Sequence, residues 1–223
     1  MYLVIYMMMK KMDIIYEDKY LLVVNKPTKL LCIATSKEIE NTLYHEASLY
    51  VKKKHKSNKI FIVHRLDKDT SGVVVFAKDE KTKKLLQDNW DKYAVNREYI
   101  ALVKGHIKPE KNTLKNKLVE TKTNMVYVDD KSKLGKHAVT KYEVINYKGN
   151  DSLIKINILT GRKNQIRVQL DYIGYPIIGD TKYGKNKSFY NRLMLHANKL
   201  ELIHPVTSEK LELIARNPKE FNK

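Results

Sequence analysis

With 223 residues and 43% hydrophobic side chains, the chain can bury one sizeable core or at most two small ones. Its 43 Lys and Arg against 25 Asp and Glu leave a net charge of +18, which favours a polyanionic partner, nucleic acid first and an anionic membrane surface second. A single cysteine, Cys32, excludes an internal disulfide framework and a multi-cysteine zinc site, and suits a reducing cytosol.

The apolar run Met1 to Met9 is followed, not preceded, by basic residues and is far shorter than a membrane span, so no signal peptide or transmembrane helix is expected. Residues 1–12 read as an N-terminal extension and residues 13–223 as one domain. Leu21 to Val24 reads as a strand stopped by Lys26-Pro27. Thr35-Ser36-Lys37-Glu38 matches a capping box, with Leu43, Ala47, Tyr50 and Val51 following at helical spacing. The lysine-rich stretches Lys52 to Lys59 and Lys108 to Lys117 read as exposed loops.

Two β-branched and aromatic runs, Phe61 to Val63 and Val73 to Phe76, flank the polar segment His64 to Gly72 and place it on a loop between buried strands. Glu80 to Tyr93 reads as a helix with Leu86, Trp90 and Tyr93 on one face, and Tyr99 to Val103 as a strand. Alternation of Ile154, Ile156 and Ile158 predicts another strand. Lys163 to Ile173 carries Ile166, Leu170 and Ile173 on one helical face, with Thr160 as its cap. No repeat or Gly/Ser linker divides the chain, and strands outnumber helices, so an α+β fold is expected.

Within His64-Arg65-Leu66-Asp67-Lys68-Asp69-Thr70-Ser71-Gly72, a carboxylate, an arginine and hydroxyls lie between apolar strands. A polar hairpin loop would account for this. So would a site in which Asp67 is fixed by rigid strands while Gly72 permits a close backbone approach or a positive φ. Thr160 to Arg167 is a second polar segment at a strand-to-helix junction, with Arg162 and Gln165 near the helix start and Arg167 one turn on. The chain has 37 lysines and only six arginines, and four of the six, Arg65, Arg97, Arg162 and Arg167, lie in or beside these segments. Arginine among so many lysines suggests a need for its flat bidentate fork.

These residues resemble the RluA family of pseudouridine synthases from about Ile14 to the C-terminus. His64 to Gly72 meets the motif HRLDxxTSG, and Arg97 to Gly105 meets K/R-x-Y-x-A-x-V-x-G. Asn25-Lys26-Pro27, Gly161-Arg162, Gln165-Ile166-Arg167, Ile173-Gly174-Tyr175-Pro176, Gly179-Asp180, Tyr183-Gly184, Leu195-His196-Ala197 and His204-Pro205 follow the family's order. The sequence departs from the pattern at Asn164 and Gln169, where the family usually has His, and at Lys29, where it usually has Gly. Asn and Gln keep a neutral hydrogen-bonding group but cannot carry imidazole's proton.

The resemblance implies a single catalytic domain around a mixed, mainly antiparallel sheet, acting on rRNA or tRNA without metal or cofactor; a cytoplasmic location follows from the cysteine usage, and monomer is the default expectation. No separate RNA-binding module is expected before Lys26. It assigns catalysis to Asp67, Tyr99 and Arg167, with Arg167 keeping Asp67 ionised and Tyr99 offering a platform to an extruded uridine. Arg65, His64, Thr70, Arg162, Gln165 and Lys26 are the implied RNA-binding set, with Arg65 bracing the space left by the base. His64, His196 and His204 are expected to be structural in the first place.

Two other classes compete. Asp67-Lys68-Asp69 with a later Gly179-Asp180 echoes the haloacid-dehalogenase-like phosphatases, but Thr70 adjoins Asp69 and Gly184 stands where an acid is needed. A non-catalytic RNA-binding or chaperone protein on the same fold would need the lysines but not Asp67.

Overall fold

The computed structural model describes residues 12–36, 38–184 and 189–221, so the expected extension lies almost wholly outside the described residues. Strands β1 (Ile14–Glu17), β2 (Leu21–Lys26), β3 (Phe61–Ile62), β4 (Ser71–Ala77), β5 (Ala94–Val103) and β6 (Lys111–Glu120) come first. They are followed by β7 (Val126–Val128), β8 (Lys136–Lys148), β9 (Asp151–Ile158), β10 (Leu195–Ile203) and β11 (Lys210–Ile214). All join one sheet, whose order is β1-β2-β4-β10-β5-β9-β8-β6-β7, with β3 also on β4 and β11 also on β10. The β4–β10 pairing is parallel and the others are antiparallel. With helices α1 (Leu43–Lys54), α2 (Glu80–Asp88), α3 (Trp90–Tyr93) and α4 (Gln165–Tyr172), this is the expected α+β fold with a mixed, mainly antiparallel sheet.

β4 is buried along its whole length because both of its faces are covered. Alternation sends Val73, Val75 and Ala77 to one cluster with Leu86 of α2, and Val74 and Phe76 to another with Leu43, Ala47 and Val51 of α1. Each buried Val, Leu or Phe among them contributes about 1.5–3 kcal/mol by burial. On β9, Ile154, Ile156 and Ile158 are buried against Ile166 and Leu170 of α4, as the alternation predicted.

Several local expectations are corrected. The helix begins at Leu43, not at the Thr35 box: Thr42 is its N-cap and its hydroxyl accepts from the His45 amide at 3.1 Å. Thr35 instead closes a turn, its hydroxyl accepting from the Glu38 amide at 3.2 Å, because Leu31 and Cys32 carbonyls already hold the amides of Leu43 and Tyr44. Lys52 to Lys54 form the last turn of α1, where cations suit the carbonyl end of the helix dipole. From Lys111 the second lysine stretch is strand β6, which turns Leu114 and Leu118 into the core and most of its lysines to solvent. The Glu80 to Tyr93 helix breaks at Asn89 into α2 and α3. α4 starts after Asn164, which holds φ 53°, and Thr160 does not cap it.

Candidate active site

Asp67 lies on the loop from β3 to β4, and that loop is held from several sides. The Lys26 ammonium, fully buried, donates to the carbonyls of Pro27 at 2.9 Å, Leu30 at 2.8 Å and Lys68 at 2.9 Å. Thr28 donates its hydroxyl to the Asp69 carbonyl at 2.7 Å, and the Leu66 amide donates to the Cys32 sulfur at 3.3 Å. Lys29, where the family usually has glycine, keeps the left-handed turn with φ 64° and donates to Asn191 Oδ1 at 2.9 Å. At the loop's end Gly72 has φ 121°, and a Cβ there would collide with the Ala197 backbone, so both reasons offered for this glycine hold.

His64 supports the same loop. Its Nε2 accepts from the Val75 amide at 3.0 Å and its ring stacks on Trp90 at 4.4 Å between centroids. Burial, helped by Arg97, pushes its pKa down to about 3, which keeps the ring neutral and fit to accept that bond.

Arg167 on α4 approaches Asp67 from the other wall of the cleft, with Nη1 at 3.7 Å from Asp67 Oδ2. Its tighter partner is Asp180: Nε and Nη2 donate to the two carboxylate oxygens at 2.7 and 2.8 Å. Both residues are buried, and Asp180 also accepts from the amides of Lys182 at 2.9 Å and Tyr183 at 3.0 Å. The Tyr183 ring lies 5.3 Å from the Arg167 guanidinium. Asn164 accepts from Arg167 Nη1 at 3.4 Å and donates to the Tyr183 hydroxyl at 2.9 Å.

One cleft is lined by Asp67, Tyr99 and Arg167 together with Arg65, Thr70, Arg162, Asn164 and Gln165. Arg65 and Arg162 are exposed and make no ion pair among the described residues, so their charge faces the cleft mouth unspent. Thr70 is buried in the wall. Burial raises the Asp67 pKa above its ordinary value, while Arg167, Arg65 and Lys182 pull it down. The guanidinium, 3.7 Å away, favours the ionised carboxylate as expected but works against desolvation. The Tyr99 phenol is pushed up to about 12 by burial, with Asp67 adding and Arg97 opposing, so it stays neutral.

Two members of the expected RNA-binding set have no donors left for RNA. Lys26 points its three N–H bonds at three backbone carbonyls. Gln165 is buried, accepting from Thr160 and the Arg162 amide and donating to Val139 and Thr140. Both brace the site from within the fold, and Gln165 does so from the cleft wall. Gln169 is likewise enclosed, bonded to Thr140, Asn116 and Ala138. The residues that sequence reasoning left without a role are Asp180 and Tyr183, although the pairs Gly179-Asp180 and Tyr183-Gly184 were visible as motif letters. Asp180 is fully engaged by Arg167, which also removes the acid that a phosphatase reading needed near its metal.

Residues 20–172 match the RNA pseudouridylate synthase family. The chain is 32% identical over 213 residues, 95% of its length and 70% of the relative's, to the uncharacterized RNA pseudouridine synthase YhcT of Bacillus subtilis. It is 34% identical to ribosomal large subunit pseudouridine synthase D of Zymomonas mobilis, covering 94% of this chain and 70% of that one. It is 31% identical to tRNA pseudouridine synthase C of Haemophilus ducreyi, covering 92% and 90%. Among solved structures, human RNA pseudouridylate synthase domain containing 4 superposes with a TM-score of 0.79 at 26% identity, covering 94% of this chain and 90% of that one. The motifs, the sheet and these relatives agree, and the chain belongs to the RluA family of RNA pseudouridine synthases.

Proposed function

We propose that Asp67 is the carboxylate through which this enzyme isomerises uridine to pseudouridine in rRNA or tRNA, with Tyr99 and Arg167 completing the catalytic group. The observation that carries this reading is the convergence of the three side chains on one cleft, with Arg167 Nη1 3.7 Å from Asp67. The reaction breaks the bond from ribose C1′ to uracil N1, turns the base and closes a bond from C1′ to C5, whose proton moves to N1. Nothing is oxidised or reduced, so a positioned carboxylate and a site that retains the free base suffice.

A uridine in stacked RNA cannot reach Asp67, so it must be extruded, and Tyr99 gives the base a neutral aromatic face that offsets part of the lost stacking. Arg65 and Arg162 at the cleft mouth hold the surrounding phosphates and brace the vacated space. Thr70 and His64 keep the loop in place. Residues 13–223 act as one catalytic domain, as a monomer in the cytoplasm, recognising RNA through this cleft and the lysine-bearing faces around it.

The test is site-resolved pseudouridine mapping of total RNA from cells with the gene intact, deleted, or carrying Asp67→Ala. Loss of pseudouridine at the same discrete positions in both altered strains supports the proposal and names the substrate. An unchanged profile, together with no activity of the purified protein on those RNAs and undiminished RNA binding, would hand the role to a non-catalytic RNA-binding protein.

A further inference from the structure

A second hollow, of about 400 Å³, opens behind the candidate catalytic loop. Thr70 and Leu195 line the cleft, while their neighbours Ser71 and His196 line the second hollow. Leu195 and His196 are successive residues of β10 and point to opposite faces, and Thr70 and Ser71 divide the same way where the loop enters β4, so the two hollows stand back to back across the β4–β10 pair.

The basic side chains that line the second hollow are Lys26, Arg192, Arg216 and Lys219, with His196, whose pKa burial pushes down to about 4; Lys26 spends its three N–H bonds on backbone carbonyls, which leaves Arg192, Arg216 and Lys219. Arg192 is only 8% exposed, yet no carboxylate lies within ion-pair distance of it among the described residues. Its Nε donates to the Leu193 carbonyl at 3.1 Å and its Nη2 to the Ser71 hydroxyl, which leaves Nη1 with no hydrogen bond among the described residues. Arg216 and Lys219 are exposed, and neither makes an ion pair among the described residues. A buried guanidinium without a counter-charge is costly unless something supplies one.

The arginines sort accordingly. In this lysine-dominated chain Arg97 pairs with Asp91 and Arg167 with Asp180. The four others lack an ion pair among the described residues; Arg65 and Arg162 sit at the cleft, Arg192 and Arg216 at the second hollow. Two carboxylates, Asp13 and Glu46, also line the hollow; Asp13 is hydrogen-bonded to Asn25 and Glu46 is not free. Glu220 is felt by Arg192 only at longer range. At 400 Å³ the space exceeds what one or two waters fill, a water's share of liquid being about 30 Å³, and matches a phosphoryl group with part of the molecule that carries it.

We infer that this hollow is an anion site that takes a phosphoryl group between Arg192, Arg216 and Lys219, separate from the uridine cleft. The group comes either from the RNA backbone or from a free phosphate or nucleotide. Its counter-charge would complete the environment of Arg192, whose Nη2 already holds Ser71 at the end of the Asp67 loop.

The experiment compares the intact protein with the double variant Arg216→Ala/Lys219→Ala, whose positions are exposed and leave the fold in place, and with Arg65→Ala/Arg162→Ala as the cleft control. Thermal melts are recorded against inorganic phosphate and adenosine 5′-monophosphate, with chloride at matched ionic strength as reference. The salt dependence of binding to a tRNA transcript is measured in parallel. A saturable rise in Tm with phosphate or nucleotide that the double variant loses and the cleft control keeps identifies a small-anion site. A logarithmic salt slope that falls by roughly one in the double variant, with no saturable effect of free phosphate, identifies an RNA phosphate instead. If the double variant behaves as the parent in both measurements, or if phosphate binding depends only on the cleft arginines, the inference is wrong.

Discussion

Arg167 gives Nε and Nη2 to the two oxygens of Asp180, at 2.7 and 2.8 Å, and offers Asp67 only Nη1 at 3.7 Å. The buried bidentate pair fixes the guanidinium plane, and the looser contact leaves both Asp67 oxygens open to substrate. Asp180→Asn leaves that buried cation with half of its counter-charge removed, a class of change that costs about 3–5 kcal/mol. We expect urea unfolding to report a loss of that order, with kcat falling at least tenfold. Unchanged stability and kcat would mean that Asp180 does not position Arg167.

Asp67→Asn is expected to abolish pseudouridine formation while leaving the protein equally or more resistant to heat at pH 7. The sign follows from burial, which raises the folded pKa of Asp67 above its unfolded value. For such an acid the folded state binds the extra proton, so its contribution to stability is present below the unfolded pKa and declines as pH rises through the folded one. At neutral pH the ionised carboxylate is thus a net cost, which the amide relieves. Melting curves from pH 4 to pH 8 check this, and a variant that melts well below the parent at pH 7 would contradict it.

Tyr99→Phe and Tyr99→Leu separate ring from hydroxyl. Because its pKa is pushed up to about 12, the phenol does not titrate in any ordinary assay and should contribute no limb to the pH profile. Removal of the ring in Tyr99→Leu is expected to lower kcat/KM by 10²-fold or more, since base stacking is worth roughly 1–3 kcal/mol and the ring also shapes the cleft. Tyr99→Phe should bind RNA as the parent does. Weaker RNA binding by Tyr99→Phe would show that the hydroxyl, not the face, is what the substrate meets.

Lys26→Met tests the loop support. Burial pushes the Lys26 pKa down to about 8, against the pull of Cys32, Asp69 and Asp67. A lysine whose folded pKa lies below its unfolded value makes the protein more stable as pH rises from about 8 towards the unfolded value. The unfolded chain holds the proton that the folded one has released. The parent should therefore carry a stabilising increment across that window which Lys26→Met lacks. The variant should also lose activity, because three carbonyls, that of Lys68 among them, lose their donor. A parallel pH dependence in parent and variant would count against this account.

The sequence made the long-range picture legible where chemistry is carried by residue type. Asp67, Tyr99 and Arg167 meet in one cleft, and the alternation of Ile154, Ile156 and Ile158 announced the core strand beside it. It was less informative where tertiary contacts override local pattern. The Thr35 box has the right letters for a helix start, but the backbone of Leu31 and Cys32 captures the chain later, at Leu43 and Tyr44. Lys26 and Gln165 have polar ends suited to RNA, and only the packed structure reveals that those ends are used up by carbonyls and a hydroxyl within the fold. Asp180 was invisible as a partner because nothing in its spacing from Arg167 sets the geometry of a bidentate pair.

The position of β10 in the sheet has a consequence for synthesis. β10 lies between β4, whose loop bears Asp67, and β5, which bears Tyr99, and it is joined to each by hydrogen bonds. Until residues 195–203 have left the ribosome, the two walls of the cleft have no common strand, and the nascent chain holds two incomplete sheets with open edges. Such late, long-range closure makes folding slow relative to helical proteins and leaves those edges exposed to mispairing meanwhile. A cleft with both walls joined by a common strand is therefore a late product of synthesis.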